Sequence, residues 1–249
     1  MIHLKSHWEI EIMRRMGKLA ARARVLAGAM VEPGVKTAAI DKEIRRLIEL
    51  DGAYPAFLGY NGFPGSVCIS LNEEVIHGIP GNRKIKPGDI VSIDVGTKGE
   101  GYYGDCAETF EAGEVSPRAK TLIQVTRESF FKGLAYCREG FRLSDISHAI
   151  QAHVEAYGFS VIRDFVGHGI GSSLHEAPEV PNFGKPGRGP RLTAGMTLAI
   201  EPMVSMGAPD VTILKDGWTV VTKDRALSAH FENTVLITKD QPEILTSEV

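Results

Sequence analysis

Two aspartates, Asp94 and Asp105, lie in a stretch that reads as one β-hairpin, DIVSIDVGTKGEGYYGDCAETF over Asp89–Phe110. With Gly99 and Glu100 as the central residues of a type II′ turn, residue i faces residue 199 minus i, and Asp94 stands opposite Asp105 on one face. Cβ atoms of such a pair are about 5 Å apart, where two like charges destabilise a sheet unless a cation or a shared proton joins them. A single aspartate here would read as a turn or edge residue. Three more groups of the right chemistry sit in apolar or glycine-rich strand contexts: His168 in VGHGIG, Glu201 in LAIEPM and Glu232 in HFENTVLI. Together they make four carboxylates and one imidazole, which balance two divalent cations. An oxygen-rich set with one histidine and no thiolate suits Mn²⁺, Fe²⁺, Co²⁺ or Zn²⁺ in a catalytic pair rather than a closed structural zinc site. Two such ions about 3.5–4 Å apart can bridge a water, acidify it and clamp both oxygens of a tetrahedral intermediate.

These residues need elements to hold them. Apolar residues at helical spacing predict a helix over residues 7–30, broken by Glu32-Pro33-Gly34. Thr37 is placed to cap a second helix that runs to about Leu50 and stops at Gly52. Residues 53–83 mix short apolar runs with glycines and read as strands and loops. Ser116 and Ser144 open two further helices, to about Arg138 and Tyr157, and the last third returns to short strands.

An internal repeat orders these elements. Gly34–Gly52 and Gly140–Gly158 are both helical segments bracketed by glycine, with Ile40, Ile44 and Ile48 falling on Ile146, Ile150 and Val154 at an offset of 106. KPGDIVSIDV matches TAGMTLAIEP at an offset of 107, which makes Asp94 and Glu201 counterparts. Each half also carries an H-x-x-P, His77 to Pro80 and His175 to Pro178. Three matches in one order predict two duplicated α+β halves, with a site on the pseudo-twofold axis between them.

SIDVG, GYYGDCAETF, GHGIG, AIEP and FENT, in that order, resemble the type I methionine aminopeptidases, single-domain members of the pita-bread metallopeptidases. The resemblance runs from about Leu4 to Leu245. It implies an α+β fold of two pseudo-twofold halves, with a central curved antiparallel sheet covered by helices. It implies one catalytic domain over residues 1–249, divided at about 110–115. Asp94 would chelate one metal ion, His168 and Glu201 the other, with Asp105 and Glu232 bridging both. A hydroxide shared by the two ions would attack the scissile carbonyl, and Glu201 would carry its proton to the leaving amine. His175 would stabilise the oxyanion, and His77 would contact the peptide nitrogen. By the same resemblance Tyr60, Phe63, Cys68 and Trp218 line an apolar methionine pocket. Phe57, Phe63 and Leu174 stand where the bacterial pattern usually has Cys, Tyr and Phe, which implies altered pocket size. The main-chain carbonyls of Asn72 and Ser228 would hold a monovalent cation. The implied substrates are N-termini of nascent polypeptides with a small second residue, met in the cytoplasm by a monomer with transient ribosome association.

Other classes fit less well. Net charge is −3 with both signs interspersed, which leaves no nucleic-acid or membrane footprint, and no apolar run approaches about 20 residues. Cys68, Cys106 and Cys137 form no C-x-x-C and point to a reducing compartment. Gly99–Gly104 spells G-x-G-x-x-G inside a hairpin with no helix after it, so no dinucleotide site is expected. His148 and His153 are five apart and share no helical face, and His230 is expected at the rim of the site with no assigned role. An X-Pro peptidase of the same fold needs an extra N-terminal domain, for which the segment before the Asp89–Phe110 hairpin leaves no room. The segment between Glu201 and Glu232 is too short for the helical insertion of a type II enzyme. A non-catalytic adaptor of the same fold would not be expected to keep all five ligand positions.

Overall fold

A computed structural model describes residues 2–247; Met1, Glu248 and Val249 lie outside the described residues. Helix α1, His7–Ala29, opens with a capping box: the Glu9 N–H donates to Ser6 Oγ and the Ser6 N–H donates to Glu9 Oε2. Its apolar stripe, Ile12, Met16, Leu19, Ala23 and Ala27, packs on the sheet together with Ile40, Ile44 and Ile48 of α2. Contact is close, since a Cβ on Gly104 would lie 2.7 Å from the backbone of Gly17.

Helices α2, Thr37–Leu50, and α4, Leu143–Ala156, occupy equivalent places in the repeat, Thr37 matching Leu143 and Leu50 matching Ala156. The glycines before them, Gly34 and Gly140, both have φ 95°, and those after them, Gly52 and Gly158, have φ 75° and 72°. Neither helix is capped as the sequence reading expects. Lys36 is the N-cap of α2, and Thr37 Oγ1 instead exchanges hydrogen bonds with the backbone of Gly81. In α4 the N-cap is Arg142, whose N–H donates to Asp145 Oδ2, while the Ser144 hydroxyl bonds the backbone of Arg188. Both hydroxyls tie down long loops. Helix α3, Pro117–Leu134, is capped by Ser116.

The sheet is antiparallel throughout. Its central order is Ile90–Gly99, Tyr102–Glu111, Glu232–Leu236, Thr197–Ile200, then Gly167–Gly169 and Glu176–Val180. Cys68–Leu71 adds beside Ile90–Gly99. Each half has its own apolar cluster, Ile40, Ile44, Val91 and Ile93 in the first and Leu122, Phe130, Ile146 and Leu198 in the second. This is the α+β pita-bread arrangement, with helices over a sheet whose two halves meet between Tyr102–Glu111 and Glu232–Leu236.

The hairpin register differs from the expected one by two residues. Glu100 and Gly101, with φ 50° and 83°, are the central turn residues, as a type I′ turn requires. Gly99 serves α1 instead, for a Cβ there would meet Met16 Sδ at 2.6 Å. Asp94 therefore faces Ala107, and Asp105 faces Gly96. A two-residue slip keeps both aspartates on one face, now as diagonal neighbours. The diagonal spacing of about 7–8 Å leaves more room between them than a direct pairing would.

Candidate active site

Two adjacent rows across the sheet build the site. One row runs Cys68, Asp94, Ala107, Glu232. The other, two residues along each strand, runs Gly96, Asp105, then through Thr234 to Ala199 and His168. Glu201 follows Ile200, the partner of Asn233, and so ends its strand beside Glu232. A spacing of two puts both rows on the same face. Small residues, Ala107, Gly96, Ala199 and Thr234, alternate with the large polar ones and leave floor space between the carboxylates. Thr234 also stitches the halves: its hydroxyl accepts from the Asp105 N–H and donates to the Asp105 carbonyl, at 3.1 and 2.9 Å.

The carboxylates are buried and short of protein donors. Asp94 Oδ1, Asp105 Oδ1 and Glu232 Oε1 have no hydrogen-bond partner among the described residues. Burial, then the neighbouring carboxylates, holds Asp94, Glu201 and Glu232 well above the usual carboxylate range. Burial pushes Asp105 up to about 7. The imidazoles move the other way: burial lowers His168 and His77 to about 4, and His230 to about 3. A neutral imidazole among buried carboxylates is a set that divalent cations fit, because each lone pair is available and the negative charge needs an opposite one. Asp105, His168 and Glu232 each bring a ligand atom within 4.8 Å of the other two, as do Glu201, His230 and Glu232. His168 Nε2 lies 3.6 Å from Glu201 Oε1.

The residues expected to bind the divalent ions or the substrate all line one cavity of about 280 Å³, whereas Asn72 and Ser228 lie outside its lining. The five acidic and imidazole groups form its floor. Tyr60, Phe63, Cys68 and Trp218 line its apolar part with Phe57 and Leu174, and Phe63 stacks edge-on against Trp218 at 5.1 Å. His77 takes a left-handed backbone, φ 59°, unusual for a side chain of its size. Gly78 permits that turn, since a Cβ there would lie 2.2 Å from the Ile69 carbonyl oxygen. His77 meets Phe165 edge-on at 5.9 Å. His175, at the mouth, has its ring 4.3 Å from that of His168, and partial burial holds it below the usual imidazole range. Asn72 and Ser228 meet through a 2.8 Å hydrogen bond from the Ser228 N–H to the Asn72 carbonyl.

Sequence reasoning misplaced one group and missed several. His230 is not at the rim: it is 2% exposed, with Nε2 3.8 Å from Glu201 Oε2 and 3.9 Å from Glu232 Oε2. Phe165, Ile76 and Asn61 also line the cavity. Asn182 holds the Glu201 carbonyl through Nδ2 at 3.0 Å, and Arg24 on α1 reaches Asn233 Oδ1 at 3.1 Å. Lys5 forms a buried ion pair with Glu176, the residue after His175, at 2.5 Å. Apart from the neighbouring pair His230 and Glu232, these contacts carry no local pattern, because the partners are distant in sequence.

Residues 11–239 match the model for metallopeptidase family M24. A methionine aminopeptidase of Clostridium perfringens is 55% identical over 246 residues, 99% of each chain. The crystal structure of a methionine aminopeptidase from Thermotoga maritima superposes with a TM-score of 0.98, at 48% identity and full coverage of both chains. A prolidase from Pyrococcus furiosus shares the fold alone, with a TM-score of 0.79 at 22% identity over 98% of this chain and 65% of its own.

Proposed function

The chain belongs to metallopeptidase family M24, and from that premise we propose that it is a metal-dependent aminopeptidase that removes the initiator methionine from nascent polypeptides whose second residue is small. The observation that carries this reading is one cavity with five ligand-type side chains at its floor and an apolar wall beside them. Asp94, Asp105, His168, Glu201 and Glu232 would hold two divalent ions drawn from Co²⁺, Mn²⁺, Fe²⁺ and Zn²⁺. Such ions, when bound, acidify a water and polarise a carbonyl.

The rest falls to the side chains. Glu201, ending the Thr197–Ile200 strand, moves a proton from the attacking water to the departing amine. His175 donates to the carbonyl oxygen as that oxygen gains charge. His77, held in its left-handed turn, contacts the peptide nitrogen after the methionine. An unbranched thioether fits a wall of Tyr60, Phe63, Cys68 and Trp218, and Phe57, larger than the usual Cys, and Leu174, smaller than the usual Phe, alter the size of that pocket. His230 lies behind Glu201 and Glu232 as a further imidazole of this centre. The protein acts as a single-domain monomer in the cytoplasm, on chain ends leaving the ribosome, with a monovalent cation held by the carbonyls of Asn72 and Ser228.

The test is methionine release from Met-Ala-Ser, Met-Leu-Ser and Ala-Pro-Ser by protein stripped with chelator and given each divalent ion in turn. Cleavage of Met-Ala-Ser alone, restored by metal, is the expected result and ranks the ions. Cleavage of Ala-Pro-Ser instead would move the protein to the X-Pro peptidases, and no cleavage by a folded protein that binds no metal would leave the non-catalytic adaptor.

A further inference from the structure

His168 and His175 face one another with ring centroids 4.3 Å apart, and their Nδ1 atoms meet opposite kinds of partner. His168 Nδ1 lies 2.8 Å from the carbonyl oxygen of Gly169, which can only accept. Its proton is therefore on Nδ1, and the Nε2 lone pair is turned to the carboxylates. His175 Nδ1 lies 2.7 Å from the phenolic oxygen of Tyr60. A phenol is the better donor of the two and an imidazole nitrogen the better acceptor, so Nδ1 accepts and the His175 proton sits on Nε2. We propose that Tyr60 is a positioning residue for the reaction: its hydroxyl fixes His175 in the Nε2–H tautomer and aims that N–H at the oxygen that gains charge. The inference takes its chemistry from the aminopeptidase reading and its geometry from the resting protein.

Lining an apolar pocket does not call for this hydroxyl. Phe63 lines the same pocket without one, and packs on Trp218 at 5.1 Å. The ring of Tyr60 is instead tilted over His175, with centroids 5.3 Å apart. Its loop is a compact knot with three left-handed residues, Gly59, Asn61 and Gly62, at φ 78°, 48° and 88°. The Tyr60 N–H donates to the Phe57 carbonyl and the Phe63 N–H to the Tyr60 carbonyl, both at 2.9 Å, while the Gly59 N–H reaches the Phe63 carbonyl at 2.8 Å. On the other side the His175 loop is anchored by Glu176, which accepts from the Ser173 N–H and pairs with Lys5. Both partners are fixed before substrate arrives, which is the condition for an oxyanion donor to act without reorganising.

Tyr60→Phe keeps the ring and removes only the hydroxyl. Side-chain ¹⁵N–¹H spectra of histidine-labelled, metal-free wild type should show His175 protonated at Nε2 and His168 at Nδ1. In Tyr60→Phe the His175 signals should move towards a mixture of tautomers. Its kcat on Met-Ala-Ser should fall about five- to tenfold, the worth of one hydrogen bond, with KM within about twofold. In a His175→Ala background the same change should alter kcat by less than about twofold, because the effect runs through His175. Wild-type His175 protonated at Nδ1, an unchanged kcat, or a raised KM at unchanged kcat would each overturn the proposal; so would equal losses with and without His175. Wild type that cleaves no methionyl peptide would sink the aminopeptidase reading instead, and the tautomer pair is read from the spectra in either case.

Discussion

In the first half of the chain the Ile90–Gly99 strand carries Asp94 after four apolar or small residues. At the matching place in the second half, Thr197–Ile200 leads into Glu201. The surrounding frames agree closely. Isolated bridges join Lys36 to Lys84 in one half and Arg142 to Arg191 in the other, at equivalent points of the repeat. The site groups do not agree. The first half contributes two aspartates on a hairpin closed by a two-residue turn, with the aromatic wall from residues 57–68. The second half separates its two site strands by the long segment from Glu201 to Glu232, which folds into small antiparallel ribbons and delivers Trp218 and His230. His168 and His175 also come from this half. The repeated frame supplies a floor with near-equivalent positions, and the histidines and the longer connection make that floor chemically one-sided.

Breaking the floor where the halves meet should have the largest effect. Asp105→Asn removes a carboxylate from the strand beside Glu232, and turnover of Met-Ala-Ser should fall at least about a thousandfold. Near-normal turnover would sink the two-ion reading. The same variant has a pH signature in metal-free protein. The folded pKa of Asp105 is raised from 3.8 to about 7, so folded protein holds a proton that unfolded protein has released. The cost of the buried charge is absent below about pH 4, grows as pH rises, and is complete above about 7. Metal-free Asp105→Asn should therefore lie close to wild type at pH 4 and be the more stable of the two at pH 8. Saturating Mn²⁺ should reverse that order, read from urea midpoints. A variant that is never the more stable would show that burial is not what raises this carboxyl.

A second break sharpens the asymmetry. The segment before α1 reaches across to the second half: the Lys5 N–H bonds the Gly195 carbonyl at 2.8 Å, and Lys5 Nζ pairs with Glu176. The Lys5 side chain is 2% exposed, so Lys5→Met keeps the buried stem and leaves the Glu176 carboxylate with less compensation. Stability should fall by about 3 kcal/mol in urea, because removing one partner of a buried pair strands the other. A loss under about 0.5 kcal/mol would class the pair with ordinary surface ion pairs.

What could be read from sequence follows the same division. Periodicity located all four described helices to within a few residues, and the glycine brackets at an offset of 106 coincide with left-handed turns in both halves. Those signals are local, as are the polar residues inside apolar strands that mark the floor. The register of the hairpin was not legible, because Gly99 lies against Met16, a contact far from the turn, rather than in the turn itself. The depth of His230 was hidden because its other neighbour, Glu201, comes from a strand distant in sequence. Thr37 and Ser144 look like caps, yet distant loops at Gly81 and Arg188 take their hydroxyls.

The smallest prediction tests the shared frame itself. Gly52 and Gly158 end α2 and α4 with φ 75° and 72°, and a Cβ at either would meet nothing within 4 Å. Alanine at each position therefore adds backbone strain with no steric clash, and each variant should lose about 1 kcal/mol. In a chain of this size that is a fall of about 2–4 °C in Tm. The two losses should agree, because the same turn closes the same helix in both halves. Gly17→Ala is the contrast: its φ is ordinary, but its Cβ would lie 2.3 Å from the Leu245 carbonyl oxygen. It should cost more than either. Unequal losses at Gly52 and Gly158 would mean that one helix end is held by its surroundings rather than by its own turn. The repeat would then be a likeness of shape whose two copies no longer share an energetic basis.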